Sequence, residues 1–366
     1  MKEARVSETL RVEPGAGRRA KGQSGGHAGD GPRDPELDGL RGVAIGLVLA
    51  GHLLTFQFGH AWALPLGALG VQLFFALSGF LISRLLLREF DGTGTIDLLR
   101  FMGRRALRIF PAFYVFLAVV AVLILGRWVV DTNWKSLFAA ALYISNWRGS
   151  SATLGHTWSL SIEEQYYALW PATMLLICRR RLLPATLVII ALIVVWRAVA
   201  ISLELWSMNS SVFYERSDFR FDSLLVGAVV AMLPRQRPVS SRAISMFLLV
   251  VVVSFVASPA LLWFKALQPF ALTVTTILAA AIVYAVTTNS GAYSMGVLRL
   301  GWLQWLGRVS YSLYLWQQPL LLGTVAGLAA LRGLPAVLAL FALALASYYW
   351  VEQPFLLMRS RLERLR

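Results

Sequence analysis

The stretch 38–54, DGLRGVAIGLVLAGHLL, opens the first long apolar run of the chain and carries two ionisable residues, Arg41 and His52, eleven positions apart. Eleven residues is close to three turns at about 3.6 residues each, so on a helix both side chains point to one face, separated by roughly 16 Å along the axis. That is about half the hydrocarbon thickness of a bilayer. Ionisable groups at membrane depth are costly and usually face a bundle interior or a wet cavity. The pair therefore reads as a polar path from the membrane edge towards its middle. The plainer alternative makes Arg41 an end-anchor and packs His52 against a neighbouring helix.

Composition sets the class around this helix. Mean hydropathy is +0.64, and 57 % of the 366 residues are hydrophobic against 14 % charged. Soluble domains carry about 25 % charge, so the expected fold is all-α: a polytopic membrane helix bundle. The single cysteine, Cys178, excludes a disulfide within the chain and reads as inert packing. The net charge of +15 does not point to nucleic acid, because the arginines cluster beside apolar segments, as the positive-inside rule places them.

Residues 1–35 are rich in Gly, Arg and Ser and lack an apolar stretch, so a disordered tail is expected and a secretory signal is not. A transmembrane domain over 36–355 and a basic tail over 356–366 follow. Ten apolar segments fall near 39–57, 67–88, 110–126, 162–178, 182–201, 219–233, 244–258, 268–287, 309–331 and 334–351. The stretch 136–147 is too short to span and reads as interfacial or re-entrant. Arginines crowd the connection 84–108, the triplet Arg179 to Arg181, the group Arg235, Arg237 and Arg242, and the C-terminal end, while the alternate connections carry isolated charges. This asymmetry predicts both termini in the cytoplasm of a multi-pass cell-membrane protein.

Several blocks carry polar groups that chemistry can use. Gly42, Gly46 and Ala50 form a small-residue ridge that admits a close neighbour. Gln72 and Ser78 interrupt the second span, as interhelical hydrogen bonds or ligand contacts. In RRALRIFPAFY (104–114), Arg104 and Arg108 share a helix face and Arg105 and Arg108 nearly do. Pro111 marks the start of the third span. The cluster suits lipid phosphates or those of a soluble nucleotide-like donor. In GHTWSLSIEEQYYALWP (155–171), Ser161 and Glu164 fit a capping box, Glu163 is left for function, Tyr166, Tyr167 and Trp170 read as an interface belt, and His156 as a wet loop residue. Arg220 and Asp222, two apart, cannot pair along one helix face, and form a candidate polar-substrate site at a span mouth. GRVSYSLYLWQQP (307–319) places Tyr311 and Gln317 in one span, and WVEQPF (350–355) puts Glu352 at a membrane edge.

There is no GxxxxGK[ST] and no strand-linked GxGxxG, so a nucleotide-hydrolysing pump is not expected. None of His27, His52, His60 and His156 begins an HExxH zinc site or a His-x4-Asp arrangement; no metal is expected.

Taken in order from about Pro35 to Phe355, these blocks resemble the acyltransferase 3 family of integral membrane O-acyltransferases. Arg41 and His52 fit its Arg-x10-His, GVQLFFALSGFLISR its second-span signature, RRALRIFPAF its arginine-rich inner loop, and HTWSLSIEEQYYALWP its Trp-Ser-Leu…Glu-Glu block. FRFDSLLVG, GRVSYSLYLWQQP and VEQP fit the later blocks. Gln317 stands where many members have histidine, so a second catalytic histidine is not expected there. The expectation is also a member without the SGNH esterase-like domain that many carry.

The resemblance implies transfer of an acyl group, usually acetyl, from acyl-CoA to a sugar hydroxyl in a surface glycan, lipid-linked saccharide or glycosylated small molecule. No bound cofactor is implied; acyl-CoA is a donor substrate. His52 would take the hydroxyl proton or accept the acyl group itself. Arg104, Arg105 and Arg108 would hold the CoA phosphates, and Gln317 would orient the acyl carbonyl or a sugar hydroxyl. Two other classes stay open. One is a carrier of acyl or anionic substrates in which no bond is made. The other is a membrane-bound O-acyltransferase of a different fold, acting on lipid or peptide, although its usual Asn partner and motif order are not seen.

Overall fold

In hydrocarbon a backbone N–H or C=O has no water to bond, so a chain this apolar satisfies its polar groups inside helices. The computed structural model describes residues 34–129, 131–148, 151–205, 214–234, 268–289, 293–328 and 330–364, and among them it is almost wholly helical. The expected span 244–258, and all but the last two residues of the expected N-terminal tail, lie outside the described residues. The helices are α1 (Pro35–His52), α2 (Leu64–Thr93), α3 (Leu98–Leu125), α4 (Trp134–Ala141), α5 (Ser145–Arg148), α6 (Thr157–Leu176), α7 (Leu182–Ser202), α8 (Ser217–Met232), α9 (Gln268–Thr288), α10 (Gly301–Arg308), α11 (Ser310–Leu321), α12 (Leu334–Ser347) and α13 (Gln353–Arg364). The described residues hold no strand, only an isolated bridge between Val129 and Val325.

Local chemistry sets the ends. Pro35 opens α1 with Glu36 and Asp38 in its first turn, where acids meet the positive helix end. Asp97 caps α3 by accepting from the Arg100 amide at 2.9 Å, and Asn133 caps α4 through Ser136. Gly94, at φ +75°, ends α2 in the left-handed conformation that glycine adopts freely. Two π-helical segments interrupt the regular pitch, Leu53–Gln57 directly after His52 and Tyr348–Glu352 ending on Glu352. π-turns are frequent at functional sites.

Six described helical segments are long and apolar enough to cross a membrane: Pro35–Gln57, Ala61–Thr93, Leu98–Leu125, Arg179–Ser202, Phe270–Thr288 and Leu334–Arg359. The other described expectations, 162–178, 219–233 and 309–331, correspond to α6, α8 and α11. α6 is too polar for a hydropathy criterion, because its Ser and Glu side chains point into the bundle. α8 has 16 residues, and α11 only 12, about 18 Å at 1.5 Å per residue. A helix that short, followed by irregular backbone, survives at membrane depth only where protein or a cavity surrounds it.

Three expectations change. Pro111 does not start a span: α3 runs through it, joining the arginine run and the apolar stretch in one 28-residue helix. α6 begins at Thr157, so Ser161 is not a cap; it bonds back to the Thr157 carbonyl at 3.0 Å. Cys178 is exposed rather than packed, because α6 stops at Leu176.

α1 lies along α2 and α10, α2 along α8, and α8 between α7 and α9. Glycines bring three of these pairs together, α1 and α2 through Gly51 and Gly70 among them. A Cβ on Gly42 would collide with the Leu303 carbonyl, and one on Gly79 with that of Leu224 across the α2–α8 crossing, where Gly227 meets Ala76 in return. Gly46, expected on the same ridge as Gly42, faces open space. Overpacking such a seam costs about 1–3 kcal/mol, so Gly79→Val is expected to lower the melting midpoint of the detergent-solubilised protein by several degrees. Gly103→Val, at a position with open space around it, is expected to leave it unchanged. Equal midpoints for the two variants would contradict this packing.

Candidate active site

A cavity of about 110 Å³ opens between α1, α2, α3, α6 and α11. Its cationic lining is Arg41, Arg105 and Arg108; its acids are Glu163 and Glu164; its hydroxyls include Ser78, Ser159, Tyr167, Tyr311 and Tyr314. A larger groove of about 340 Å³, between α7 and Phe270, is lined by hydrocarbon apart from Ser202 and holds no charged or titratable side chain.

The arginines come from two helices. Arg41, half-buried on α1, lies 3.2 Å from Asp38 one turn before it. Arg105 stacks between Phe101 and Tyr167, its guanidinium carbon 5.7 Å from each ring centroid. Aromatic faces attract a guanidinium without occupying its hydrogen-bond donors, so the fork stays available to an anion. Arg104 turns away: its Nη2 is 3.3 Å from Glu89 Oε2 on α2, and it does not line the cavity. The 100° step between neighbours on a helix separates Arg104 from Arg105.

Glu163 accepts a 2.7 Å hydrogen bond from Ser78, which ties α6 to α2. Glu164, read from sequence as a cap, is buried on the cavity wall, and its Oε1 has no hydrogen-bond partner. The helix start that the sequence suggested hid this second acid. Tyr166, Tyr167 and Trp170 are buried rather than interfacial, with Tyr166 and Trp170 bonded to Ser83 of α2. Gln72 reaches Thr275 and Thr276 on α9, an interhelical role.

His52 stands at the far end of α1 from Arg41. Its Nδ1 is 2.5 Å from Gln317 Oε1 on α11. A carbonyl oxygen only accepts, so Nδ1 carries the hydrogen and Nε2 presents its lone pair. Beside Nε2 the chain places a glycine: a Cβ on Gly67 would sit 3.6 Å from it. Gln317 is fully buried, and its Nε2 donor has no hydrogen-bond partner. The sequence separated Gln317 from His52; the fold joins them, so the amide sets the ring's tautomer. His52 is not among the residues lining the cavity. Tyr314, one turn before Gln317, is.

The remaining candidates surround the centre. Tyr311 lines the cavity and donates to the Ile109 carbonyl at 2.9 Å. Glu352 is buried and accepts from Ser312 at 2.9 Å. Arg220 is fully buried among Phe75, Trp158 and Tyr214, its guanidinium 4.5–5.5 Å from their centroids. Asp222 points elsewhere, to Arg197 at 2.8 Å and Thr273 at 2.6 Å, binding α7, α8 and α9. Arg220 and Asp222 thus do not share a pocket. His156, expected in a wet loop, is 1 % exposed. Among the described residues no group of His, Cys, Asp and Glu is arranged to hold a metal ion.

The acyltransferase-domain family Acyl_transf_3 matches residues 34–352. The peptidoglycan O-acetyltransferase OatA of Listeria monocytogenes serovar 1/2a is 29 % identical over 361 residues, covering 87 % of this chain and 55 % of OatA. A Staphylococcus aureus (strain COL) protein named as a candidate O-acetyltransferase is 32 % identical over 317 residues, covering 77 % of this chain and 50 % of that protein. Another relative, named as a candidate peptidoglycan O-acetyltransferase, is YrhL of Bacillus subtilis (strain 168), 31 % identical over 320 residues that cover 78 % of this chain and 48 % of YrhL. The chain thus spans about half the length of the curated relatives it matches. No solved structure matches it.

Proposed function

The chain belongs to the acyltransferase 3 family, and from that premise we propose that it is a membrane O-acetyltransferase carrying an acetyl group from acetyl-CoA to a hydroxyl of a cell-surface carbohydrate. Peptidoglycan, named for OatA, is the acceptor class to try first. The reading places both termini in the cytoplasm, ten spans in the cell membrane, a catalytic domain over 36–355 and basic or disordered tails on either side of it.

One observation carries the proposal: three arginines converge on a cavity at the N-terminal end of α1, and a histidine with a bare Nε2 stands at its other end. A continuous helix separates Arg41 and His52 by roughly 16 Å. A donor with a phosphate head and a long arm ending in a thioester fits that layout. Arg41, Arg105 and Arg108 would hold the phosphates by charge-assisted bonds. The pantetheine arm would leave the cavity past Tyr314, one turn before Gln317, and bring the acyl carbon to His52, which lies outside the cavity lining. There Nε2 can take a proton or, as a nucleophile, the acyl group. The Nε2 donor of Gln317, which has no partner in the protein, would bond the acyl oxygen, whose charge grows as the carbonyl is attacked. Glu163, Glu164 and Tyr311 would keep the arginines in register, and Arg220 and Glu352 would support the helices around them.

The test is steady-state transfer from radiolabelled acetyl-CoA by the full chain in lipid vesicles. The variant with Arg105→Gln and Arg108→Gln together is expected to raise the KM for acetyl-CoA on the order of 10²-fold, since each charge-assisted bond contributes about 1.5–3 kcal/mol. Lysine at both positions is expected to restore only part of the loss, because a point charge cannot reproduce the guanidinium fork. An unchanged donor KM would assign the cluster to lipid headgroups.

A further inference from the structure

α11 offers two consecutive glutamines to two different imidazoles. Gln317 holds His52, and Gln318 holds His156, the residue immediately before α6. The main-chain N–H of His156 lies 2.7 Å from Gln318 Oε1. A main-chain N–H can only donate, so that atom is the carbonyl oxygen. The ring Nδ1, 3.1 Å from the same oxygen, must then carry hydrogen. His156 is held as the Nδ1–H tautomer, and its Nε2 has a bare lone pair. That Nε2 is buried and has no hydrogen-bond partner.

The clamp is built into the local sequence. A Cβ on Gly155 would sit 2.7 Å from Gln318 Oε1, so a side chain there would push the amide off the ring. Phe116 and Tyr314 pack edge-on against the imidazole, each with its centroid at 5.5 Å. Tyr314 also shares a 2.6 Å hydrogen bond with Ser159, and both line the arginine-bearing cavity. His156 therefore stands directly behind Tyr314, one side chain back from that cavity, and is held by the glutamine next to the one that holds His52. A histidine kept only for packing has no need of a fixed tautomer with an unpaired buried nitrogen.

We propose that His156 is a second catalytic group: the base that takes the proton of the acceptor hydroxyl, while His52 takes the acyl group. The proposal deepens the acyl-transfer reading and rests on it. In the first step His52 Nε2 forms a bond to the acyl carbon, and the carbon–sulfur bond breaks with its electron pair going to the CoA thiolate. In the second the hydroxyl oxygen forms a bond to that carbon and the carbon–nitrogen bond breaks, returning its pair to His52. The hydroxyl proton passes to His156 Nε2 and leaves afterwards to solvent or to the thiolate.

The two steps can be read separately with the full chain in vesicles. Exchange of radiolabelled CoA into acetyl-CoA reports the first, and transfer of labelled acetyl to chitotriose or to water reports the second. His156→Asn retains an amide able to bond Gln318 but has no counterpart of Nε2. It is expected to exchange within twofold of the parent and to lose transfer by on the order of 10²-fold. Added imidazole is expected to restore part of the transfer lost in His156→Ala, which a purely structural role would not allow. Transfer retained in His156→Asn overturns the proposal, as does exchange that falls in step with transfer or is absent in the parent. His52→Ala is expected to lose both activities. If it keeps both, or if the parent shows neither, the acyl-transfer reading itself fails.

Discussion

Replacing His52 with alanine is expected to lower acyl transfer by roughly 10²–10⁴-fold, the usual cost of removing a positioned acid–base group. The bond from its Nδ1 to Gln317 leaves Nε2 bare beside Gly67, so the side chain is aligned before any substrate arrives. The substitution also leaves the fully buried Gln317 amide without its partner, which costs about 1–3 kcal/mol of stability. His52→Gln is therefore the companion variant, able to bond Gln317 while offering no imidazole. Both are expected to insert at the parent's level. His60→Ala, in the exposed connection after α1, is expected to transfer normally. Near-normal rates in both His52 variants at matched protein levels would remove His52 from the chemistry.

Breaking the pair between Arg197 and Asp222 is expected to have the largest effect on stability. Both side chains are fully buried, 2.8 Å apart, and Thr273 bonds each of them. Asp222→Ala leaves a guanidinium buried without its carboxylate, and such losses typically cost about 3–5 kcal/mol. Replacing both partners by apolar residues, Arg197→Met with Asp222→Leu, is expected to recover most of that, because a buried ion pair gains little over good packing. The readout is the melting midpoint in mild detergent, with donor KM measured on the surviving protein. A stable Asp222→Ala protein with a raised KM would return this residue to the substrate site that its spacing from Arg220 first suggested.

The residues around these two sites differ in how far they could be read in advance. Arg41 and His52 were legible because both sit on one helix, where a period of about 3.6 fixes their shared face. Arg105 and Arg108 were legible as a basic face for the same reason. Arg104 was not separable from them until Glu89 on α2 was seen to claim it. Glu164 was misread because a capping pattern is local, and the true start of α6 depends on how the preceding loop packs. His156 gave no signal beyond its position in a loop.

Composition and periodicity by themselves determined that this chain is an apolar helical bundle, where most of its helices lie, and that Arg41 and His52 share a face; the order of its motifs placed it in its family. Only the tertiary structure decided which side chains meet. His52 and Gln317 are 265 positions apart, and His156 and Gln318 are 162 apart. A helix's own pattern says which of its faces is polar but not which helix that face will meet. That choice is made by close packing at glycine seams such as Gly79–Leu224 and by the cost of leaving a buried polar group unpaired.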